Sequence, residues 1–125
     1  MLKLSYKSGV PICDQIVNGF VRMKALGHVE SGEQLPSVRA LAVELGVNPN
    51  TIQKAYQILE SNGIIYSVKG KGSFISDDAA ADTAVIMSAK RDFRAAVSAA
   101  AELGLKEKEL LEIVSEMFEK EEGVK

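Results

Sequence analysis

The chain has no tryptophan, a single cysteine, Cys13, and a single histidine, His28. One cysteine excludes an internal disulfide and any zinc site built from clustered cysteines. His28 sits in an expected loop with no second histidine or cysteine near it in sequence, so it reads as a surface residue. Neither a Gly-x-Ser-x-Gly elbow nor a His-Glu-x-x-His site occurs, so the chain is not expected to be an enzyme, and no cofactor or metal is expected. Aromatic residues make up only 6%, which predicts an aliphatic core. No apolar run approaches the ~20 residues of a membrane span. The opening MLKLSYKSGVPI lacks a long apolar stretch, so no signal peptide and no membrane partner are expected, and the expected location is cytoplasmic. Cys13, on an expected helix, reads as a buried or half-buried thiol rather than a redox sensor.

What is present is enough for one compact domain and a short appendage: 125 residues, 46% of them hydrophobic. The net charge of −2 argues at first against a nucleic-acid partner, but its distribution reverses that. Residues 1–76 hold 8 Lys/Arg and 5 Asp/Glu, a balance of +3, whereas residues 77–125 hold 7 and 12, a balance of −5. A basic first part joined to an acidic tail suggests that only the first part faces phosphates.

Leu2, Leu4 and Tyr6 alternate in an extended arm, and Pro11 suits the first turn of a helix. Ile12, Ile16, Phe20 and Met23 follow at helical spacing to about Leu26, and residues 27–35 read as a loop. A second helix opens at Pro36-Ser37 with Val38, Leu41, Ala42 and Leu45 on its apolar face, and Gly46 stands where a left-handed cap ends it. Asn48-Pro49 starts a third helix, with Ile52, Ala55 and Leu59 buried, closed by Asn62-Gly63. Two helices joined by a tight Gly-containing turn make a helix-turn-helix. Two β-rich runs, 64–68 and 73–76, flank the tip Lys69-Gly70-Lys71-Gly72 as a hairpin, completing a winged helix. Asp77-Asp78 marks the boundary. Beyond it Val85, Ala89, Phe93, Ala96 or Val97, Ala100 and Leu103 recur at helical spacing, and a last helix over about 106–121 carries Leu110, Ile113 or Val114, and Met117. The expected fold is mainly α with a small β wing: a winged helix-turn-helix over 1–76 and a two-helix dimerisation appendage over 77–125.

A recognition helix enters the major groove with its N-terminal residues at base edges. Here that end offers Asn48, Asn50 and Thr51, with Gln53, Lys54 and Gln57 following off the buried face. Asn and Gln bond adenine bidentately, while Thr and Lys serve bases or phosphates. Asn48 reads first as a plain helix cap, and Asn50 and Gln53 have the alternative of a solvated face. Lys69 and Lys71 charge a wing tip short enough to approach a minor groove. The alternative of a phosphate loop at Gly70-Lys71 fails, because no glycine precedes at the required spacing and no Ser/Thr follows Lys71.

The segment LPSVRALAVELGVNPNTIQKAYQILESNGIIYSVKGKGSFIS, with Pro11-Ile12 and Gln15-Ile16 before it, resembles the GntR family of bacterial transcription regulators. The short tail is similar to that of the family's small YtrA-type branch. The resemblance implies DNA contacts from Ser37, Arg39, Thr51 and Gly70, and dimerisation through the tail. Ser37 keeps a second reading as a helix cap, and Arg39 a second reading as a surface arginine paired with Glu30 or Glu33. Many family members carry a basic residue where this chain has Pro49 and another at Gln53, which argues against one guanine-reading contact and for adenine- or thymine-rich half-sites.

The expected function is a sequence-specific regulator, a repressor reading a pseudo-palindromic operator in double-stranded DNA as a homodimer. Two helices of this size are marginal alone, so the stripe Val85, Ala89, Phe93, Ala96, Ala100, Leu110, Val114 and Met117 is expected to form the dimer interface. The competing reading, a winged helix turned protein-interaction module, predicts an apolar recognition face, whereas Asn50, Gln53, Lys54 and Gln57 are polar. A third reading adds a small-molecule effector of unknown identity, expected in a cleft between the C-terminal helices rather than inside the winged helix.

Overall fold

The structure, a computed structural model, describes residues 2–123; the ends of the arm and of the appendage, residues 1, 124 and 125, lie outside it. Five helices and a two-stranded antiparallel sheet follow in the order α1 (Ile12–Ala25), α2 (Val38–Leu45), α3 (Pro49–Ser61), β1 (Ile65–Val68), β2 (Gly72–Ile75), α4 (Ala79–Glu102) and α5 (Glu107–Gly123). The chain parts into two compact units, Met1–Val85 and Ile86–Lys125. The first turns of α4 therefore go with the winged helix.

Local chemistry sets the boundaries of the first unit's helices. The Ser37 hydroxyl oxygen accepts from the Ala40 N–H at 3.0 Å and caps α2. Gly46 ends that helix at φ +65°, a left-handed conformation that lets the Val47 N–H reach back to the Ala42 carbonyl at 3.0 Å. Asn48 then caps α3 by accepting from the Asn50 N–H at 2.8 Å, and Pro49 takes the first helical position, where no N–H is needed. α4 begins at Ala79, earlier than its apolar stripe, because Asp78 accepts from the Ala81 N–H at 3.0 Å.

The core of this unit is aliphatic as expected. Ile16, Ile52, Leu59, Ile64, Ile65 and Ile75 are fully buried, and Phe20 and Tyr56 meet edge to face at 6.0 Å. Leu2 and Leu4 of the arm pack against it, and the Gln15 side chain fastens the arm to α1 through the Ser5 N–H and the Ser5 and Val10 carbonyls at 2.7 to 2.8 Å. Cys13 is half-buried, and burial raises its thiol above the ordinary value, with Lys54 opposing and Asp14 adding to the shift.

Two features depart from the sequence reading. Residues 27–35 are not all loop: Gly32 donates to the Ile75 carbonyl (2.7 Å), Ile75 to the Glu33 carbonyl (2.8 Å) and Leu35 to the Ser73 carbonyl (2.8 Å), with Gln34 bridged to Phe74. This segment gives the wing a third edge. Val85, counted above with the dimerisation stripe, packs against the core of the first unit.

In the second unit no residue of α4 is buried, and none of α5 is buried among residues 107–119. Phe93 is 58% exposed and Met117 65%. Ala89 and Ala96 are exposed, while Ala100, Leu110 and Val114 are half-buried.

Candidate nucleic-acid interface

Three elements of the first unit present the sequence-predicted residues. The outer face of α3 exposes Asn50, Gln53, Lys54 and Gln57, with Thr51 half-buried beside them. Ser37 and Arg39 stand exposed at the start of α2, and Lys69, Gly70 and Lys71 at the tip of the wing. The side chains of Arg39, Asn50, Gln53, Lys54, Gln57, Lys69 and Lys71 make no hydrogen bond or ion pair among the described residues. The sequence alternative that pairs Arg39 with Glu30 or Glu33 is thereby corrected. Glu33 is turned elsewhere, its Oε1 accepting from the Glu30 N–H at 3.1 Å. A guanidinium left free and a row of uncommitted amides can meet phosphates and base edges without first breaking an internal contact.

The segment from Gly32 to Ser37 ties the three elements together, and sequence reasoning missed this. The Tyr56 hydroxyl, on α3, donates to the Pro36 carbonyl at 2.7 Å, immediately before the α2 cap. Burial raises the Tyr56 phenol well above its ordinary value, with Glu44 adding to the shift, so it stays protonated and able to donate. The Gln34 side chain donates to the Lys71 carbonyl at 2.7 Å, inside the wing tip. The tip itself is closed by the Lys71 N–H on the Val68 carbonyl at 2.9 Å. Tyr66 and Phe74 oppose each other across the hairpin and stack at 5.6 Å, stiffening its body. The available signal for the third edge was Pro36, since a residue before proline is held extended.

A second missed group lies in the same unit. The Lys24 ammonium, on a side chain only 9% exposed, donates to Asp82 at 2.7 Å and to the Ser76 hydroxyl at 3.1 Å, and Ser76 donates to the Gly63 carbonyl. It joins α1, the end of the wing and the first turns of α4. No group of His, Cys, Asp and Glu among the described residues could hold a metal ion. A partly enclosed cavity of about 170 Å³ lies in the first unit beside Phe20, Leu35, Leu41 and Ile75, while the groove of about 590 Å³ along α5 is open.

Residues 21–75 match the family described as bacterial regulatory proteins, gntR family. The chain is 38% identical over 102 residues to an HTH-type transcriptional regulator, YhcF of Bacillus subtilis, covering 81% of each. The chain belongs to the GntR family of bacterial transcriptional regulators. It is 40% identical over 79 residues to the HTH-type transcriptional repressor YtrA of the same bacterium, a match spanning 63% of this chain and 61% of that relative's length. Among solved structures it is similar to a transcriptional antiterminator from Listeria monocytogenes, with a TM-score of 0.74, 32% identity and coverage of 94% and 89%. It is also similar to a GntR family regulator from the same species, with a TM-score of 0.67, 34% identity and coverage of 89% and 98%. The DNA-binding domain of AraR in complex with an operator matches 61% of this chain and 93% of its own at a TM-score of 0.52 and 28% identity. The GntR chain described here is thus a DNA-binding winged-helix regulator, and its relatives are transcriptional regulators rather than enzymes.

Proposed function

We propose that this GntR regulator is a repressor that reads a pseudo-palindromic operator as a homodimer. α3 lies in the major groove with Asn48, Asn50, Thr51, Gln53, Lys54 and Gln57 toward the bases and adjoining phosphates. Ser37 and Arg39 meet the backbone from the start of α2, and Lys69, Gly70 and Lys71 approach the minor groove. The observation that carries the reading is the set of uncommitted polar and basic side chains gathered on three linked elements of one unit. The operator complex of the AraR domain supports the docking mode, and the repressor named among the relatives supports the direction of regulation.

Dimerisation is assigned to the appendage, residues 77–125. Its helices leave Ile86, Met87, Phe93, Leu111, Ile113 and Met117 roughly half or more exposed, too much apolar surface for a unit with nothing buried among residues 86–119. A second copy is the simplest cover, and its two-fold axis sets two α3 helices on half-sites about one DNA turn apart or a multiple of it. Selection of random duplexes by the purified protein tests the proposal. An enriched inverted repeat, bound by a species of twice the chain's mass in light scattering, supports it. A lone half-site bound by a monomer refutes the dimer, and no enrichment at all refutes specific reading. Transcription from a promoter carrying the repeat should fall when the protein is supplied.

A further inference from the structure

We infer that Gln34 is a positioning residue for DNA binding: it braces the wing tip so that Lys69 and Lys71 face the duplex. This rests on the reading that the wing lysines meet DNA. A hairpin of two four-residue strands is marginal alone, and its Lys-Gly-Lys tip is closed from within by the turn bond of the Lys71 N–H on the Val68 carbonyl. The structure supplies a second hold from outside the hairpin. The Gln34 side-chain amide donates to the Lys71 carbonyl at 2.7 Å, the peptide group next to the lysine whose direction matters. The backbone of the same segment is already fixed to the hairpin, through the bridge to Phe74 and the Leu35 N–H on Ser73.

Gly72 fits this role. It adopts φ +118°, and a Cβ there would stand 2.8 Å from the Gln34 amide nitrogen, so the missing side chain is the space through which Gln34 reaches the tip. Gln34 lies three residues before Ser37. The brace therefore references the wing to the start of α2, and fixes the spacing between two sets of backbone contacts. One bond to a backbone carbonyl leaves the tip's charge unchanged while restricting where that charge can go.

The test uses the full chain with mixed-sequence duplex DNA, its affinity measured across a salt series. Lys71→Ala removes a phosphate contact and should lower the magnitude of the salt slope by about one. Gln34→Met keeps shape and both lysines yet should also lower the slope, and weaken binding about two- to tenfold, the range of one net hydrogen bond. The double variant should bind more weakly than Lys71→Ala, but by less than the sum of the two single losses, since only Lys69 is left for the brace to direct. In the free protein, amide exchange at Lys71 should speed up in Gln34→Met while exchange at Ile64 stays unchanged. Gln34→Leu, which also removes the amide donor, should reproduce the slope change, and an unchanged urea midpoint in both Gln34 variants guards against a folding defect. An unchanged slope in Gln34→Met, with Lys71→Ala effective, overturns the brace and leaves the wing reading standing. Affinity lost without a slope change identifies Gln34 as a direct neutral contact and also overturns it. No effect of Lys71→Ala removes the wing from the interface, and the brace with it.

Discussion

Replacing Asp82 with alanine should destabilise the winged helix more than replacing Lys24 with methionine, although both break the same ion pair. The asymmetry follows from burial. The Lys24 side chain is 9% exposed and that of Asp82 42%. Without the carboxylate, an ammonium stays in the interior with the Ser76 hydroxyl as its remaining partner at 3.1 Å. Rupture of a fully buried pair costs about 3–5 kcal/mol, and the flexible lysine stem relieves part of that by reaching for water, which leaves about 2–3 kcal/mol. Methionine at position 24 keeps most of the stem's packing, and the half-exposed Asp82 rehydrates. That change should cost about 1 kcal/mol, near the upper value of an exposed pair. The double variant should resemble Lys24→Met, since no uncompensated buried charge remains. Urea unfolding followed by circular dichroism at neutral pH measures all three, with equal m-values as the check that only stability has changed. A larger loss for Lys24→Met, or additive losses in the double variant, would refute the reasoning.

Arg39→Ala should weaken operator binding by about 1–3 kcal/mol at fixed salt with little change in stability, because the side chain has no internal partner to lose; unchanged affinity removes it from the interface. Asn48→Asp should keep the α3 cap, since a carboxylate oxygen still accepts the Asn50 N–H, but lose DNA affinity by losing the amide donor and by setting a negative charge toward the phosphates; equal affinity for the two proteins makes Asn48 a cap alone. Burial raises both Cys13 and Tyr56, so the folded chain holds these protons more tightly than the unfolded chain does. Stability should be full below their ordinary values of 9.0 and 10.0 and fall as pH rises past them, a fall that Tyr56→Phe flattens; a urea midpoint that stays level or rises there contradicts the assignment. Phe93→Glu should convert the proposed dimer to monomer in light scattering without unfolding the first unit, and a variant that remains dimeric excludes this face of α4.

The helix-turn-helix was legible because its signals are local. Ser37, Gly46, Asn48 and Pro49 cap helices within a few residues of themselves, and the periodicity of Leu41, Ile52 and Leu59 states which face is buried. The polar outer face of α3 was legible for the same reason. The contacts that align the elements were not, because they join residues far apart in sequence: Lys24 to Asp82, Gln34 to Lys71, Tyr56 to Pro36. A hydrophobic period identifies an apolar stripe but does not name its partner. Val85 therefore read with the appendage stripe, whereas the structure packs it on the winged helix.

Two sequence alternatives that looked exclusive are compatible in the geometry. Ser37 and Asn48 were each open to a reading as helix cap or as DNA contact. In each, capping uses an acceptor atom: the Ser37 hydroxyl oxygen takes the Ala40 N–H and the Asn48 side-chain Oδ1 takes the Asn50 N–H. A phosphate or a base acceptor requires a donor, and the Ser37 hydroxyl proton and the Asn48 amide group remain for that purpose. Both residues also stand at helix N-termini, where unpaired backbone N–H groups and the helix dipole favour a phosphate. The chemistry that starts each helix thus leaves a donor at the end where an anion is most welcome. In Ser37→Ala or Asn48→Ala the loss of the cap, about 1 kcal/mol, is mixed with any loss of contact. Only substitutions that preserve the acceptor and remove the donor separate the two roles.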